Sequence, residues 1–96
     1  MPPSHALRRH REAVRALIEK RRMHNPRIFG SVLRGEDAEG SDLDLLVDAA
    51  PGTTLFDLGG LQMELEELLG VPVDLLTPQD LPLRYREKVL GEAAPV

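Results

Sequence analysis

The sequence contains no cysteine among its 96 residues. That absence excludes disulfides, thiolate zinc sites and a cysteine nucleophile, and it suits a reducing cytoplasm. Three aromatic residues, Phe29, Phe56 and Tyr85, are too few for a platform on which single-stranded nucleic acid would stack, so direct nucleic-acid binding is not expected. Nowhere does an apolar run reach the length needed to cross a bilayer. The N-terminus carries Arg and His where a secretion signal would carry an apolar stretch. A soluble, unprocessed, cytoplasmic protein is expected. His5, His10 and His24 lack the spacing of a shared metal face.

What remains is a chain of one domain, 1–96, with room for one small core and one site; about 60 to 65% of the unfolded surface is buried at this size. Charge is divided unequally. Residues 1–34 carry nine Lys or Arg against two Glu, and residues 35–96 carry three against fourteen acids. A solvated face on a basic first helix accounts for this more simply than a nucleic-acid surface.

The hydrophobic pattern outlines the elements. Ser4 is placed to cap a helix running to about Met23, with Leu7, Val14, Leu17 and Ile18 on its apolar stripe. Asn25-Pro26 is read as its stop, and Arg27-Ile28-Phe29 as a short strand leading into Gly30-Ser31 and a turn of helix over 32–36. From Asp42 to Val47, Leu43, Leu45 and Val47 alternate with their neighbours as in a strand. Thr54 and Asp57 have the spacing of a capping box, and Leu58, Leu61, Leu65, Leu68 and Leu69 form a stripe that ends at Gly70. Residues 71–76 read as a third strand. Asp80 is expected to cap a last helix, with Pro82 in its first turn, Gly91 near its end, and Tyr85 and Val89 facing the core. Arg84, Arg86 and Lys88 are read as a solvated face. The order predicts a small α/β (α+β) domain, a mixed sheet of about three strands with helices packed on it.

The informative stretch is 28–48, where a Gly-Ser turn precedes two carboxylates at i and i+2. Alternation puts Asp42 and Asp44 on one face, about 6.5 to 7 Å apart at Cα. Ionised carboxylates at that separation repel by roughly 2 to 2.5 kcal/mol at an effective dielectric near 20. A cation between them turns the repulsion into binding. Oxygen donors without His or Cys favour Mg²⁺ or Mn²⁺, and Mg²⁺ completes its shell with water and substrate phosphates. Gly30 permits close backbone approach, Ser31 offers a hydroxyl or a helix cap, and Arg34 either neutralises phosphate or pairs with Glu36 or Asp37. Asp74 lies amid apolar residues, where an unpaired carboxylate is costly, and is the natural third ligand.

Other readings fit less well. A calcium loop from Asp37 would put Asp42 where its glycine belongs. Haloacid dehalogenase-like phosphatases and many glycosyltransferases use Asp-x-Asp at the end of an apolar strand, whereas here the apolar residues follow the pair. Phe29-Gly30-Ser31, Asp42-Leu43-Asp44 and the later Asp74 instead resemble the nucleotidyltransferase superfamily signature. Arg34-Gly35 and the run from Ser41 to Val47 are similar to its minimal prokaryotic branch, with Leu33 standing where a small residue is usual. The resemblance implies a polymerase beta-like fold and two Mg²⁺ ions held by Asp42 and Asp44. It further implies that Asp74 helps bind one ion and orients or deprotonates the acceptor hydroxyl, and that Gly30 and Ser31 contact the β and γ phosphates of ATP. It also implies a HEPN-domain ribonuclease toxin as partner. This chain would then be the antitoxin, silencing the toxin by transferring AMP to a tyrosine or by covering it. Small-molecule and RNA acceptors remain alternatives. Apolar surface left exposed on so small a domain would be covered by that toxin or by a second copy.

Overall fold

The computed structural model describes residues 1–96. Helix α1 (Pro3–Lys20) leads into strand β1 (Met23–Phe29), the short helix α2 (Gly30–Arg34) and strand β2 (Leu43–Ala49). Helix α3 (Leu55–Leu69), strand β3 (Val73–Leu76), a 3₁₀ turn (Pro78–Asp80), helix α4 (Leu83–Glu92) and strand β4 (Ala94–Pro95) complete it. The sheet order is β3-β2-β1-β4. Antiparallel pairs join β2 to β1 and β1 to β4, and the β2–β3 pair is parallel. The mixed sheet with packed helices is the expected class, with one strand more than expected. β4 is only two residues long and has no alternation to announce it.

Alternation sorts the sheet into two faces. Leu43, Leu45 and Val47 of β2 and Val73 and Leu75 of β3 are buried. They join Leu7, Val14 and Ile18 of α1 and Leu61, Leu65 and Leu69 of α3 in one hydrophobic cluster. Those helices therefore cover one face. The other face carries Asp44 and Leu46 from β2, and the residues directly opposite share it: Phe29 and Arg27 from β1, Asp74 and Leu76 from β3. Leu46 and Leu81 are buried outside the main cluster, so this second face is partly covered beyond the acids.

Several element ends differ from the sequence reading. Pro2, not Ser4, holds the cap position of α1, without a side-chain bond, and Pro3 opens the helix where a missing N–H is harmless. The helix stops at Lys20 because Arg22 takes a left-handed conformation (φ 60°) and the fully buried Met23 pairs with Ala49 as a strand residue. Asn25-Pro26 does not end a helix. It makes a bulge inside β1, with Asn25 at φ 53° and the register slipping between His24 and Arg27.

The second half follows its caps. Thr54 and Asp57 form the reciprocal capping box, and Gly70 ends α3 in the left-handed conformation. The glycine pair inside α3 does not break it. Gly60 lies against the Arg21 guanidinium, where a Cβ would sit 2.7 Å from Nη1, and Arg21 in turn holds Glu64 at 2.5 Å. Asp80 does not cap α4. Its carboxylate accepts from the Thr77 amide (3.0 Å) and hydroxyl (2.9 Å), closing the 3₁₀ turn, and Pro82 takes the cap position. Gly91 lies within α4, and none of that helix is buried. Tyr85 is exposed, stacked on Arg84 instead of the core, while Arg86 leaves the solvated face to donate to the Gln79 and Leu81 carbonyls.

Candidate active site

Three elements converge at the start of β2. Asp42 precedes the strand and is exposed, Asp44 is its second residue, and Asp74 is opposite Asp44 in the parallel pair. Neighbouring strands lie about 4.8 Å apart, so directly opposed carboxylates on one face interact strongly. Asp44 shows the effect. Burial first, then the charges of Asp74 and Asp42, push its carboxyl from the ordinary 3.8 up to about 6, against the opposing pull of Arg34. The acids expected to act together are thus one electrostatic group.

Gly30 bears on the same carboxylate. It opens α2 at φ 70°, and a Cβ there would stand 2.1 Å from Asp44 Oδ2. Only a residue without a side chain leaves Asp44 its place. Ser31 lies inside α2, and no side-chain bond caps that helix, so its hydroxyl does not act as the cap. Arg34 pairs with Glu36 (Nε to Oε2 3.3 Å) on the surface, close enough to Asp44 to act on its charge.

The burial argument for Asp74 does not hold. β3 is an edge strand, Val73 and Leu75 turn inward, and Asp74 is exposed. Asp44, half-buried in the central strand, is the acid that pays for desolvation. No group of three acids or histidines stands ready as a metal cage. Mg²⁺ normally takes one or two carboxylates and completes its shell from phosphates and water. The oxygen-only donor set and the glycine cradle around Asp44 fit such an ion.

Two features lie outside the reach of the sequence. Arg27, also on the open face, holds Asp48 at 2.8 Å. Asp37 accepts the Ser4 amide at 2.8 Å, and this contact together with the Ser4 side chain pulls its carboxyl below the usual range. Partners 33 residues apart leave no local signal. The largest surface concavity, about 520 Å³, lies past the far end of β2 among Lys20, Arg22 and Pro51, so the acids occupy an open surface instead of a deep cleft.

This geometry has clear relatives. Residues 7–96 match the nucleotidyltransferase domain family. A candidate protein adenylyltransferase of Methanocaldococcus jannaschii is 45% identical over 69 residues, 72% of this chain and 74% of that protein. The protein adenylyltransferase MntA of Thermococcus cleftensis is 42% identical over 65 residues, covering 68% and 66% of the two chains. Among solved structures, one described as a candidate minimal nucleotidyltransferase is 48% identical and superposes with a TM-score of 0.86 over 98% of this chain and 96% of its own. A toxin–antitoxin complex with AMP-PNP shares the fold at 21% identity, TM-score 0.75, over 88% of this chain and 69% of its own. The chain belongs to the nucleotidyltransferase domain family and is a minimal nucleotidyltransferase.

Proposed function

We propose that this chain transfers AMP from ATP to a hydroxyl of a protein partner, with Asp42, Asp44 and Asp74 as its catalytic acids and Mg²⁺ as its metal. The observation that carries this reading is the packing of Asp44 between the Gly30 backbone and Asp74. A half-buried carboxylate is held there, at an energetic cost, with only the weak pull of Arg34, itself paired to Glu36, to oppose it. Asp42 and Asp44 would hold the metal, which supplies Lewis-acid stabilisation of the attacking and leaving oxygens at the α-phosphorus. Gly30 and Ser31 would receive the β and γ phosphates, and Arg34, already near Asp44, would exchange Glu36 for phosphate oxygen. Asp74, exposed at the sheet edge, faces outward to orient an acceptor hydroxyl and take its proton. The acceptor hydroxyl then replaces pyrophosphate at the α-phosphorus, and the chain's own contribution is positioning and charge.

An open site suits an acceptor presented by another protein. Exposed apolar residues support such a partner: Phe56 is 91% and Met63 71% accessible on α3, with Leu83 and Tyr85 on α4. The chemistry of relatives named protein adenylyltransferases, one of them MntA, and the toxin–antitoxin assembly of a structural neighbour point to a toxin, and we assign it to the HEPN class with a tyrosine acceptor. No helix is long and apolar enough to cross a membrane, and a cytoplasmic encounter is proposed.

The test is mass spectrometry of a HEPN protein from the same operon after incubation with this chain, ATP and Mg²⁺, beside the Asp42→Asn, Asp44→Asn double variant. Addition of AMP that disappears in the variant supports transfer. A stable complex that binds ATP yet never modifies the partner would replace this reading with neutralisation by binding.

A further inference from the structure

We propose that Asp37 is a positioning residue for the site: by capping α1 from outside, it anchors the loop that delivers Asp42. The inference rests on the reading of Asp42 as a metal ligand. Helix α1 has no side-chain cap of its own and no acid in its first turn. The His5 and Ala6 amides donate to the Pro2 carbonyl, and the one first-turn amide left over is served by Asp37, whose Oδ2 accepts the Ser4 N–H at 2.8 Å across 33 residues. A carboxylate at a helix N-terminus also meets the positive end of the helix dipole, so the contact is favoured by charge as well as by hydrogen bonding.

The anchor is connected to the acids by a single turn. The Ala38 amide donates to Ser41 Oγ (2.9 Å), and the Ser41 amide donates back to the Ala38 carbonyl (3.0 Å). Asp42 follows at once, and the Leu43 amide then donates to the Pro72 carbonyl (2.8 Å) as β2 begins. At the other end, the Glu36 amide closes on the Ser31 carbonyl (2.9 Å). The loop is therefore pinned at α2, at α1 and just ahead of β3, and its Glu39 also meets the N-terminal ammonium of Met1 at 2.6 Å. Asp37 supplies the hydrogen bond that ties it to α1, an element that contributes no residue to the proposed site, and the Met1–Glu39 pair beside it, between exposed groups, is a weaker tether. Without that tie, residues 37–42 keep their internal turn but lose its orientation, and Asp42 loses its fixed distance from Asp44.

Manganese binding, read by electron spin resonance in the presence of ATP, tests this on the full chain as wild type, Asp37→Ala, Asp37→Asn and Asp42→Asn. Amide hydrogen exchange at 38–42 is followed alongside, with α3 as internal reference. Asp37→Ala should weaken Mn²⁺ binding about 10-fold, the usual cost of losing a group that orients a metal ligand, and should accelerate exchange at 38–42 but not in α3. Asp37→Asn keeps an oxygen for the Ser4 amide and should stay within about twofold of wild type on this reasoning. Wild-type Mn²⁺ binding in Asp37→Ala, equal losses in both Asp37 variants, or acceleration spread equally into α3 would each overturn the proposal. Equal Mn²⁺ binding by wild type and Asp42→Asn would refute the role of Asp42 itself. That result stays distinguishable because exchange at 38–42 still separates the two Asp37 variants.

Discussion

Asp44→Asn should stabilise the metal-free protein while abolishing its activity. The carboxyl of Asp44 rises from 3.8 to about 6 on folding, mainly through burial and then through Asp74 and Asp42. A raised folded value means that the protonated form is favoured in the native state. Its contribution is therefore complete below about pH 3.8 and is lost as pH climbs through about 6. A rise of that size corresponds to about 3 kcal/mol if taken at face value. Asp44 is only half-buried, and solvent screening reduces this to about 1 to 2 kcal/mol. A neutral amide of the same shape avoids the loss. In EDTA at pH 8, Asp44→Asn should melt higher than wild type by about 4 to 16 °C, a domain of this size gaining roughly 4 to 8 °C per kcal/mol. The gain should open between about pH 4 and 6 and vanish below that interval. Saturating Mg²⁺ with ATP should raise the melting temperature of wild type and leave the variant unmoved. Calorimetry across acid, intermediate and alkaline pH decides the matter: a gain that is absent at about pH 8, or equally present at about pH 3.5, would refute the reasoning.

Gly30→Ala should cost more in function than in stability. Its Cβ would stand 2.1 Å from Asp44 Oδ2, so the carboxylate must move by about 1 Å or more, enough to lower transfer at least about 100-fold; the left-handed backbone adds about 1 to 2 kcal/mol of destabilisation. Transfer within about threefold of wild type would mean that Asp44 is not held where the reaction needs it. Arg34→Ala removes a surface pair with Glu36 and the smallest of the charges acting on Asp44, and should change the melting temperature little while raising the KM for ATP about 10-fold, as loss of one charge-assisted phosphate contact does; an unchanged KM confines Arg34 to those two contacts. Thr54→Ala, which breaks the α3 capping box, should cost about 1 kcal/mol in denaturant unfolding with the KM for ATP unaltered.

Local rules are readable in the sequence and distant ones are not. The alternation of Leu43, Leu45 and Val47, the Thr54–Asp57 box and the stop at Gly70 each depend on residues within a few positions, and the structure has them as read. The neighbourhood of Asp42, Asp44 and Asp74 is legible because a short motif encodes two of the acids and an isolated acid in an apolar run marks the third. The environment of Asp74 is not. Whether its strand is central or at the edge is decided by sheet order, so an apolar run suggests burial where the edge supplies exposure. The bulge at Asn25-Pro26 escapes the sequence for a similar reason. A proline looks like a stop until its strand is paired, and only then is its missing N–H seen to fall where the ladder is already broken. α4 follows helical spacing but buries nothing, so periodicity alone assigns Tyr85 to a core it does not reach.

The parallel pairing of β2 with β3 also sets when the site comes into being. An antiparallel pair can close through a tight turn, but Asp44 and Asp74 meet only after the chain has run through α3 and come back alongside β2. Loop-closure entropy delays that contact relative to the local helices and to the β1–β2 pairing. A chain emerging from the ribosome carries Asp42 and Asp44 well before it carries their partner. Until α3 docks and β3 joins the sheet, the two acids have no counterpart. On the roles proposed for these acids, catalytic competence thus waits for a long-range contact, and a chain folded only through β2 has no assembled site with which to modify whatever it meets.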